Sequence, residues 1–196
     1  MRKIFALACM MLMSTAMFAQ SEKNLSAFAG VGTSTLVGGD AEGMKGALSF
    51  KIGANYDFAL SENFSIIPGV ELVNKGFKED GIDGTINLYY LQVPIFAAYK
   101  FPIAQGMKLG IKAGPYLGYG LFGSDIEYSY GKTTKKINIW DSDGDNQRFA
   151  AGIIAGLALD LEEYVISVEY SRGLTKFTKD VKIYNQAFGV TFAYKF

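Results

Sequence analysis

Few residues of this chain could perform acid–base or metal chemistry, because its 196 residues include no His and a single Cys, Cys9. The absence of His excludes Ser–His–Asp and Cys–His catalysis and most catalytic zinc sites. One acidic run places three carboxylates at alternate positions, Asp141, Asp143 and Asp145, as at the start of a calcium loop. The run lacks the Gly and the bidentate Glu at the EF-hand spacings, so we expect a solvated loop there.

Charged residues are the remaining candidates for chemistry, and they are sparse. Lys and Arg number 19, Asp and Glu also number 19, and the formal net charge is therefore zero. A chain without a basic excess does not attract a phosphate backbone, so we predict no nucleic-acid partner. The length suits about one folded domain. No motif predicts a cofactor.

The N-terminus has the layout of a secretory signal peptide. Two basic residues precede an uncharged, mostly apolar run over positions 4–18, which is followed by Ala19. We predict that residues 1–19 are a signal peptide and that residues 20–196 form one β-barrel domain. Because Cys9 belongs to the signal peptide, the mature domain has no disulfide.

Alternation with a period of two residues is the main structural signal in the mature chain. From Tyr184 to Phe196 the even positions are, with one exception, large and apolar, whereas the odd positions are small or polar. Gly, Asp, Asn and Lys clusters separate such segments, and we predict eight strands. Pro68 and Pro94 lie inside predicted strands, where each removes a backbone donor and a β-bulge is expected. The other clean segments begin near positions 48, 107, 148 and 164, and the less regular ones cover 25–35, 64–75 and 86–101.

The glycines indicate which face of the strands points inward. They concentrate on the polar face, where small side chains suit the cramped interior of a narrow barrel. The apolar face would overfill that interior, whereas lipid accepts it. We therefore predict an all-β fold, an eight-stranded antiparallel up-and-down transmembrane β-barrel. The alternative is a periplasmic lipocalin-like binding barrel with the two faces reversed. The glycines in question are Gly53, Gly69, Gly110, Gly114, Gly118, Gly152, Gly156 and Gly189.

Strand and link lengths favour the membrane barrel. About 11 residues at about 3.3 Å each, tilted near 45°, span roughly 25 Å of hydrocarbon. The links over 37–45, 76–84, 123–147 and 175–182 are long and polar, and the other three are short. This asymmetry is typical of outer-membrane barrels, so we predict the bacterial outer membrane as the location, with a periplasmic C-terminus. An aromatic girdle at the short-turn end is expected from Tyr56, Phe58, Phe64, Tyr99, Phe101, Tyr164, Tyr194 and Phe196.

The alternation also brings charged side chains together inside the barrel. We predict a structural lumen charge network of Lys51, Glu71, Lys112, Arg148 and Glu169, because buried charges must be paired. Salt bridges of this kind fill the interior of eight strands, whereas an open path between the charges would make a narrow channel. The wider predicted lumen set contains Lys75, Lys100, Lys108, Lys195, Asp57 and Asp160.

Several stretches resemble the PorT-like outer-membrane β-barrel family. They are LQVPI at 91–95, IPGVE at 67–71, GIIAGL at 152–157, YSRGL at 170–174 and the terminal YKF at 194–196. The resemblance covers essentially the whole mature chain. It implies a small outer-membrane barrel, and it allows a link to type IX protein secretion, with which the namesake of the family is associated.

Together these observations predict a non-enzymatic barrel that is structural or interacts through its surface loops. The expected partners are outer-membrane lipid and other envelope or secretion proteins, and the long link over 123–147 is the expected contact surface. The alternatives are a narrow, porin-like pore, which single-channel conductance would reveal, and the lipocalin-like barrel. A lipid-modifying enzyme is disfavoured because the chain has no His and no Ser beside an identifiable base.

Overall fold

A computed structural model of the chain describes residues 24–79, 84–130, 133–140, 146–178 and 181–196. The predicted signal peptide, residues 1–19, and the calcium-like residues Asp141, Asp143 and Asp145 lie outside the described residues. No helix that could cross a membrane is found in the described part of the chain. The strands are β1 (Leu25–Gly38), β2 (Met44–Tyr56), β3 (Phe58–Ala59), β4 (Phe64–Asn74), β5 (Phe77–Glu79), β6 (Leu88–Ala104), β7 (Met107–Gly123), β8 (Asp125–Tyr130), β9 (Thr133–Asn138), β10 (Phe149–Leu161), β11 (Tyr164–Gly173) and β12 (Ile183–Lys195).

Eight strands close into one antiparallel barrel. Their order is β1, β2, β4, β6, β7, β10, β11 and β12, and β12 returns to pair with β1. The closing register runs from Ser26 opposite Lys195 to Gly38 opposite Ile183. Strands β8 and β9 form a separate two-stranded sheet. The predicted eight-stranded up-and-down barrel is confirmed.

Large apolar side chains cover the outside of the barrel. In β12, Phe188, Val190 and Phe192 point outward and are about half exposed, whereas Thr191 and Ala193 point inward and are buried. Successive side chains of a strand point to opposite faces, so one apolar face on every strand makes a continuous outer belt. This arrangement is the reverse of a lipocalin-like barrel, whose apolar face lines the interior.

The links divide the barrel into two ends. At the end that carries the first residue of β1 and the last of β12, β6 turns into β7 at residues 105–106 and β10 into β11 at residues 162–163. Gly106 adopts a positive φ of 71°, which a residue without a Cβ tolerates. We call this the turn end. The opposite, loop end carries the links over 39–43, 75–87, 124–148 and 174–182.

Aromatic side chains mark the turn end as predicted. The rings of Tyr56 and Phe58 are 4.5 Å apart between centroids, and those of Tyr99 and Phe101 are 4.8 Å apart. Phe64 lies opposite Tyr99 in the sheet. The girdle continues through Tyr164, Tyr194 and Phe196, which contact one another in series.

The bulges expected at Pro68 and Pro94 are absent, and that prediction is wrong. The β4–β6 register keeps the same offset from Pro68 opposite Ile95 to Glu71 opposite Gln92. A proline removes a ladder hydrogen bond but inserts no residue, so the register survives. Register shifts occur instead near the two ends of β6, between Tyr89 and Tyr90 and between Pro102 and Ala104. Strand β6 also runs to Ala104, three residues beyond the end of the segment predicted over 86–101.

Candidate functional site

A chain of charged and polar side chains crosses the middle of the lumen. Lys51 contacts both Glu169 and Glu71, with 3.5 Å between Lys51 Nζ and Glu71 Oε2. Lys112 Nζ lies 2.6 Å from the other oxygen of Glu169 and 3.3 Å from Ser167 Oγ. The Ser167 hydroxyl in turn donates to Glu169 over 3.0 Å. Four of the five predicted network residues are therefore in direct contact.

The network continues toward the loop end through Gln92. The Gln92 amide donates to Glu71 Oε1 over 2.5 Å and accepts a hydrogen bond from Lys75 Nζ over 2.8 Å. Both Glu71 and Lys75 are buried. Members of the network lie on β2, β4, β6, β7 and β11, so it links five of the eight barrel strands across the lumen.

Inward aromatic rings support the lysines of this network. Lys75 Nζ lies 4.3 Å from the centroid of Tyr116, and Lys112 Nζ lies 4.9 Å from that of Phe96. Lys51 Nζ is 5.5 Å from the centroid of Phe28. A ring face attracts a cation, most strongly where water is excluded, so the aromatic side chains stabilise ammonium groups that the carboxylates alone would not surround.

Glycines make room for these inward rings. A Cβ added at Gly53 would lie 2.7 Å from Phe28 Cζ, and one added at Gly152 would lie 2.6 Å from Tyr116 Cε1. At Gly120 the indole of Trp140 would be 2.7 Å from the added atom. The glycines of the polar face thus admit large aromatic side chains to the lumen, besides being small themselves.

At the turn end the remaining lumen charges surround a wider space. Lys100 pairs with Asp57, and Lys195 Nζ lies 2.5 Å from Asp160 Oδ1. Lys108 is exposed beside them. These residues line a space of about 560 Å³, which we call the turn-end vestibule. A smaller cavity of about 70 Å³ lies between the vestibule and the network and is lined by residues of both.

At the loop end, the lumen is filled by apolar side chains. Trp140 is 4% exposed, and its ring lies 5.6 Å from Tyr90 and 6.0 Å from Phe177 between centroids. Phe177 also contacts Phe77. The loops supply most of this packing, because Phe77, Trp140 and Phe177 all lie outside the eight barrel strands. We call it the loop-end cap; its members are Leu36, Phe77, Ile86, Leu88, Tyr90, Ile139, Trp140, Phe177 and Ile183.

Arg148 lies in the cap region rather than with the other four residues of the predicted network. Its guanidinium donates to the carbonyl oxygens of Gly120, Leu121 and Trp140 over 3.0–3.3 Å. It also stands over the Trp140 ring, 5.6 Å from the centroid. Arg148 precedes β10 at the loop end, eight residues before Gly156, which lies opposite Glu169 in the sheet. Its guanidinium therefore binds carbonyl groups of the loop instead of a lumen carboxylate.

Backbone and side-chain hydrogen bonds hold the loops of the cap together. Gln147 N donates to the Phe177 carbonyl over 2.8 Å, and Thr178 Oγ1 donates to Asn146 Oδ1 over 2.9 Å. Ile139 N donates to the Ser124 carbonyl over 3.3 Å. The chain therefore leaves the cap before β8 and returns to it after β9 at two neighbouring residues, Ser124 and Ile139.

Sequence reasoning missed the inward aromatic side chains and the cap. Tyr116 lies four positions after Lys112 on β7 and points to the same face. The alternation that predicts Lys112 in the lumen therefore also predicts Tyr116 there. Tyr90 and Phe96 lie on β6, where both faces are apolar and the pattern is weak. No local signal marks Trp140 as a lumen residue, because its position depends on how a long loop folds back.

The described residues contain no group of three or more His, Cys, Asp or Glu side chains that could hold a metal ion. Within that part of the chain, the lumen site consists of ion pairs, amides and aromatic rings. Such an arrangement can fix the strands and block the lumen.

Comparisons with known proteins agree with this architecture. Residues 18–179 match the family model of the outer membrane protein beta-barrel domain. A search of curated protein sequences gives no match. Among solved structures, the chain is similar to the Neisserial surface protein A (12% identity, 88% of this chain and 97% of that chain covered, TM-score 0.53). It is also similar to the outer membrane enzyme PagL (11% identity, 87% and 99% covered, TM-score 0.56).

The attachment invasion locus protein Ail of Yersinia pestis also matches, with 16% identity, 89% and 99% of the two chains covered and a TM-score of 0.47. At such identities the likeness to these structures concerns the fold alone. The outward apolar belt, the two unequal ends and the family match over most of the sequence lead to the same conclusion. The chain belongs to the outer membrane protein β-barrel domain family and is an integral protein of the bacterial outer membrane.

Proposed function

We propose that this protein is a closed, non-enzymatic barrel that acts through its external loops, as a structural or assembly component of the cell envelope. The observation that carries the proposal is the doubly blocked lumen. The charge network lies across its middle, and the loop-end cap fills its outer half. A solute crossing the lumen would have to displace both.

The hairpin of β8 and β9 supports an interaction role. It forms a sheet of its own, so each of its strands has one edge that is unpaired in the sheets of the described residues. Unpaired strand edges are a common docking surface for an extended segment of another protein. The resemblance to PorT-like barrels makes protein secretion, including the type IX route, the first process in which we expect such a contact.

Conductance separates this proposal from the narrow-channel alternative. In a planar bilayer with 1 M KCl, the purified wild-type protein is expected to produce no discrete current steps, because the network and the cap act in series. A porin in the same bilayer is the positive control. Stable steps from the wild type, altered in Lys112→Ala, would establish the channel and contradict a closed barrel.

A hairpin exchange tests the role of the loops. Because Ser124 and Ile139 are hydrogen-bonded neighbours, a short Gly-Ser linker can replace residues 125–138 without moving the cap. In a deletion strain, the exchanged variant is expected to restore folded barrel but not the secretion or envelope defect. Ser65→Ala, a single change within a barrel strand, is the matched control and should restore both. Full rescue by the hairpin exchange would contradict the proposal.

A further inference from the structure

The outward face of the barrel carries one charged residue, Arg172. Every residue of the eight barrel strands is described, and at their outward-facing positions all other side chains are uncharged. Arg172 points to the same face of β11 as Val168 and Tyr170, which are 41% and 42% exposed on the lipid side. The remaining charged residues of these strands, such as Glu169, stand at inward-facing positions. A lone cation on a surface built for lipid calls for a specific explanation.

Arg172 lies near the outer edge of the apolar belt. It is eight residues beyond Tyr164, a member of the turn-end girdle. At about 3.3 Å per residue and a tilt near 45°, it is about 19 Å above that girdle, within an apolar band about 25 Å tall. The long side chain can cover the remaining distance and place the guanidinium at the outer membrane–water interface. Arg172 therefore contacts the outer leaflet of the membrane.

Neighbouring side chains hold the guanidinium in place. Arg172 Nη1 donates to Gln186 Oε1 over 2.9 Å, and the Tyr170 hydroxyl donates to the same oxygen over 3.2 Å. The guanidinium carbon lies 5.7 Å from the ring centroid of Tyr184. Gln186 stands directly opposite Arg172 in the β11–β12 register. Gln186 is also the one polar residue among the outward positions of β12 that otherwise carry Tyr, Phe and Val.

We propose that Arg172, Gln186 and Tyr184 form a binding site for a lipid-linked phosphate group of the outer leaflet. A guanidinium presents five N–H donors in a planar fork that fits phosphate, and Gln186 occupies only the donor at Nη1 in the described contacts. Tyr184 supports the cation through its ring and lies at the depth where aromatic side chains contact headgroups. Charge complementarity identifies the occupant as the phosphorylated glycolipid of that leaflet, lipid A.

Thermal stability in micelles tests the site. The full mature protein is refolded in dodecyl maltoside, and its unfolding midpoint is followed by the mobility difference between folded and unfolded barrel on gels. Bisphosphorylated lipid A at saturating concentration is expected to raise the wild-type midpoint by about 5 °C, since a ligand that binds only the folded state stabilises it. Lipid A without its phosphates and inorganic phosphate are each expected to give no comparable rise.

Variants test whether Arg172 and Gln186 cause that rise. Arg172→Ala is expected to abolish it, and Gln186→Ala to reduce it. Arg172→Lys keeps the charge but not the fork, so it should retain a minor part. Lys78→Ala, which removes an exposed cation from the short strand β5, is the matched control and should keep the full rise.

Three results would overturn the proposal. The first is an equal rise with dephosphorylated lipid A, which would mean that acyl chains alone stabilise the barrel. The second is an equal rise with inorganic phosphate, which would make the ligand a free anion. The third is an undiminished rise in Arg172→Ala. If Arg172 were only an interfacial anchor, its replacement would lower the midpoint without lipid A and leave the lipid-dependent increment unchanged. Should Arg172→Ala fail to fold, the increments of Arg172→Lys and Gln186→Ala decide the question.

Discussion

The two halves of the lumen are enclosed by the same eight strands but filled in opposite ways. In the loop-end half, Leu88, Tyr90 and Trp140 are almost completely buried in an apolar cap. In the turn-end half, the ion pairs of Lys100 and Lys195 border a vestibule of about 560 Å³. The length of the links explains the contrast. The short turn-end links add no residue to the apolar core, whereas the long loops fold back and fill the lumen.

Long loops of a membrane barrel therefore have two roles in this molecule. Phe77, Trp140 and Phe177 face the lumen and replace water with a packed core, while the β8–β9 hairpin forms its own sheet outside the barrel. The energetic consequence is that the loop-end half depends on apolar packing and the turn-end half on partly solvated charge pairs. Substitutions in the two halves should accordingly differ in size.

Trp140→Ala is expected to have the largest effect. Truncation of a buried aromatic side chain typically lowers the free energy of unfolding by about 3–5 kcal/mol. Trp140 is 4% exposed and contacts Tyr90, Phe177 and Arg148. Urea titration of the refolded protein in micelles, read by gel mobility, measures the change.

Phe149→Ala is the matched control for Trp140→Ala, because Phe149 is 51% exposed on the outer face. Detergent or lipid chains can fill the space that its ring vacates, so we expect a clearly smaller loss. Equal losses for the two variants would show that the cap is no better packed than the outer belt, and the contrast between the two halves would then disappear.

Gly152→Ala is expected to have an intermediate effect. The added methyl would lie 2.6 Å from Tyr116 Cε1 and closer still to the Arg172 carbonyl oxygen, and overpacking of this kind costs about 1–3 kcal/mol. Gly118→Ala is its control, since the nearest atoms to an added Cβ there are 3.6 Å away. Trp140 is the only Trp of the chain, so its fluorescence reports directly whether the cap is disturbed in either variant. A loss in Gly118→Ala as large as that in Gly152→Ala would contradict the packing argument.

Asp160→Asn is expected to have the smallest effect. It removes the partner of Lys195 at the edge of the vestibule, where the lysine side chain is 14% exposed and water can solvate it in part, so we expect a loss of about 1 kcal/mol. The same urea titration measures it. A loss as large as that of Trp140→Ala would mean that the turn-end half is as dry as the cap.

The fold followed from the sequence because its main signal is local. Parity along a strand and the concentration of Gly on one face identify the inward side without knowledge of the partner strands, and they place Lys51, Glu71, Lys112 and Glu169 in one lumen. The alternation is weakest on β1 and β6, where Phe28, Tyr90 and Phe96 point inward and make both faces apolar.

The loop-end cap could not be predicted by the same reasoning. Its contacts join residues far apart in the chain, such as Phe77 and Phe177, and a loop has no periodicity from which direction can be read. Arg148 shows the consequence. The alternation correctly predicts that Arg148 points inward, but its partners are carbonyl groups of a folded loop rather than a carboxylate.

The pairing of the first strand with the last determines the order in which the barrel can form. Ser26 pairs with Lys195, so the closing contact joins residues 169 positions apart, and no earlier segment can substitute for β12. Contacts of such large sequence separation make folding slow. Until they form, β1 and β12 each have an open edge, whose backbone groups hydrocarbon cannot satisfy. Membrane insertion and closure are therefore expected to be coupled, late events that follow export of the complete chain.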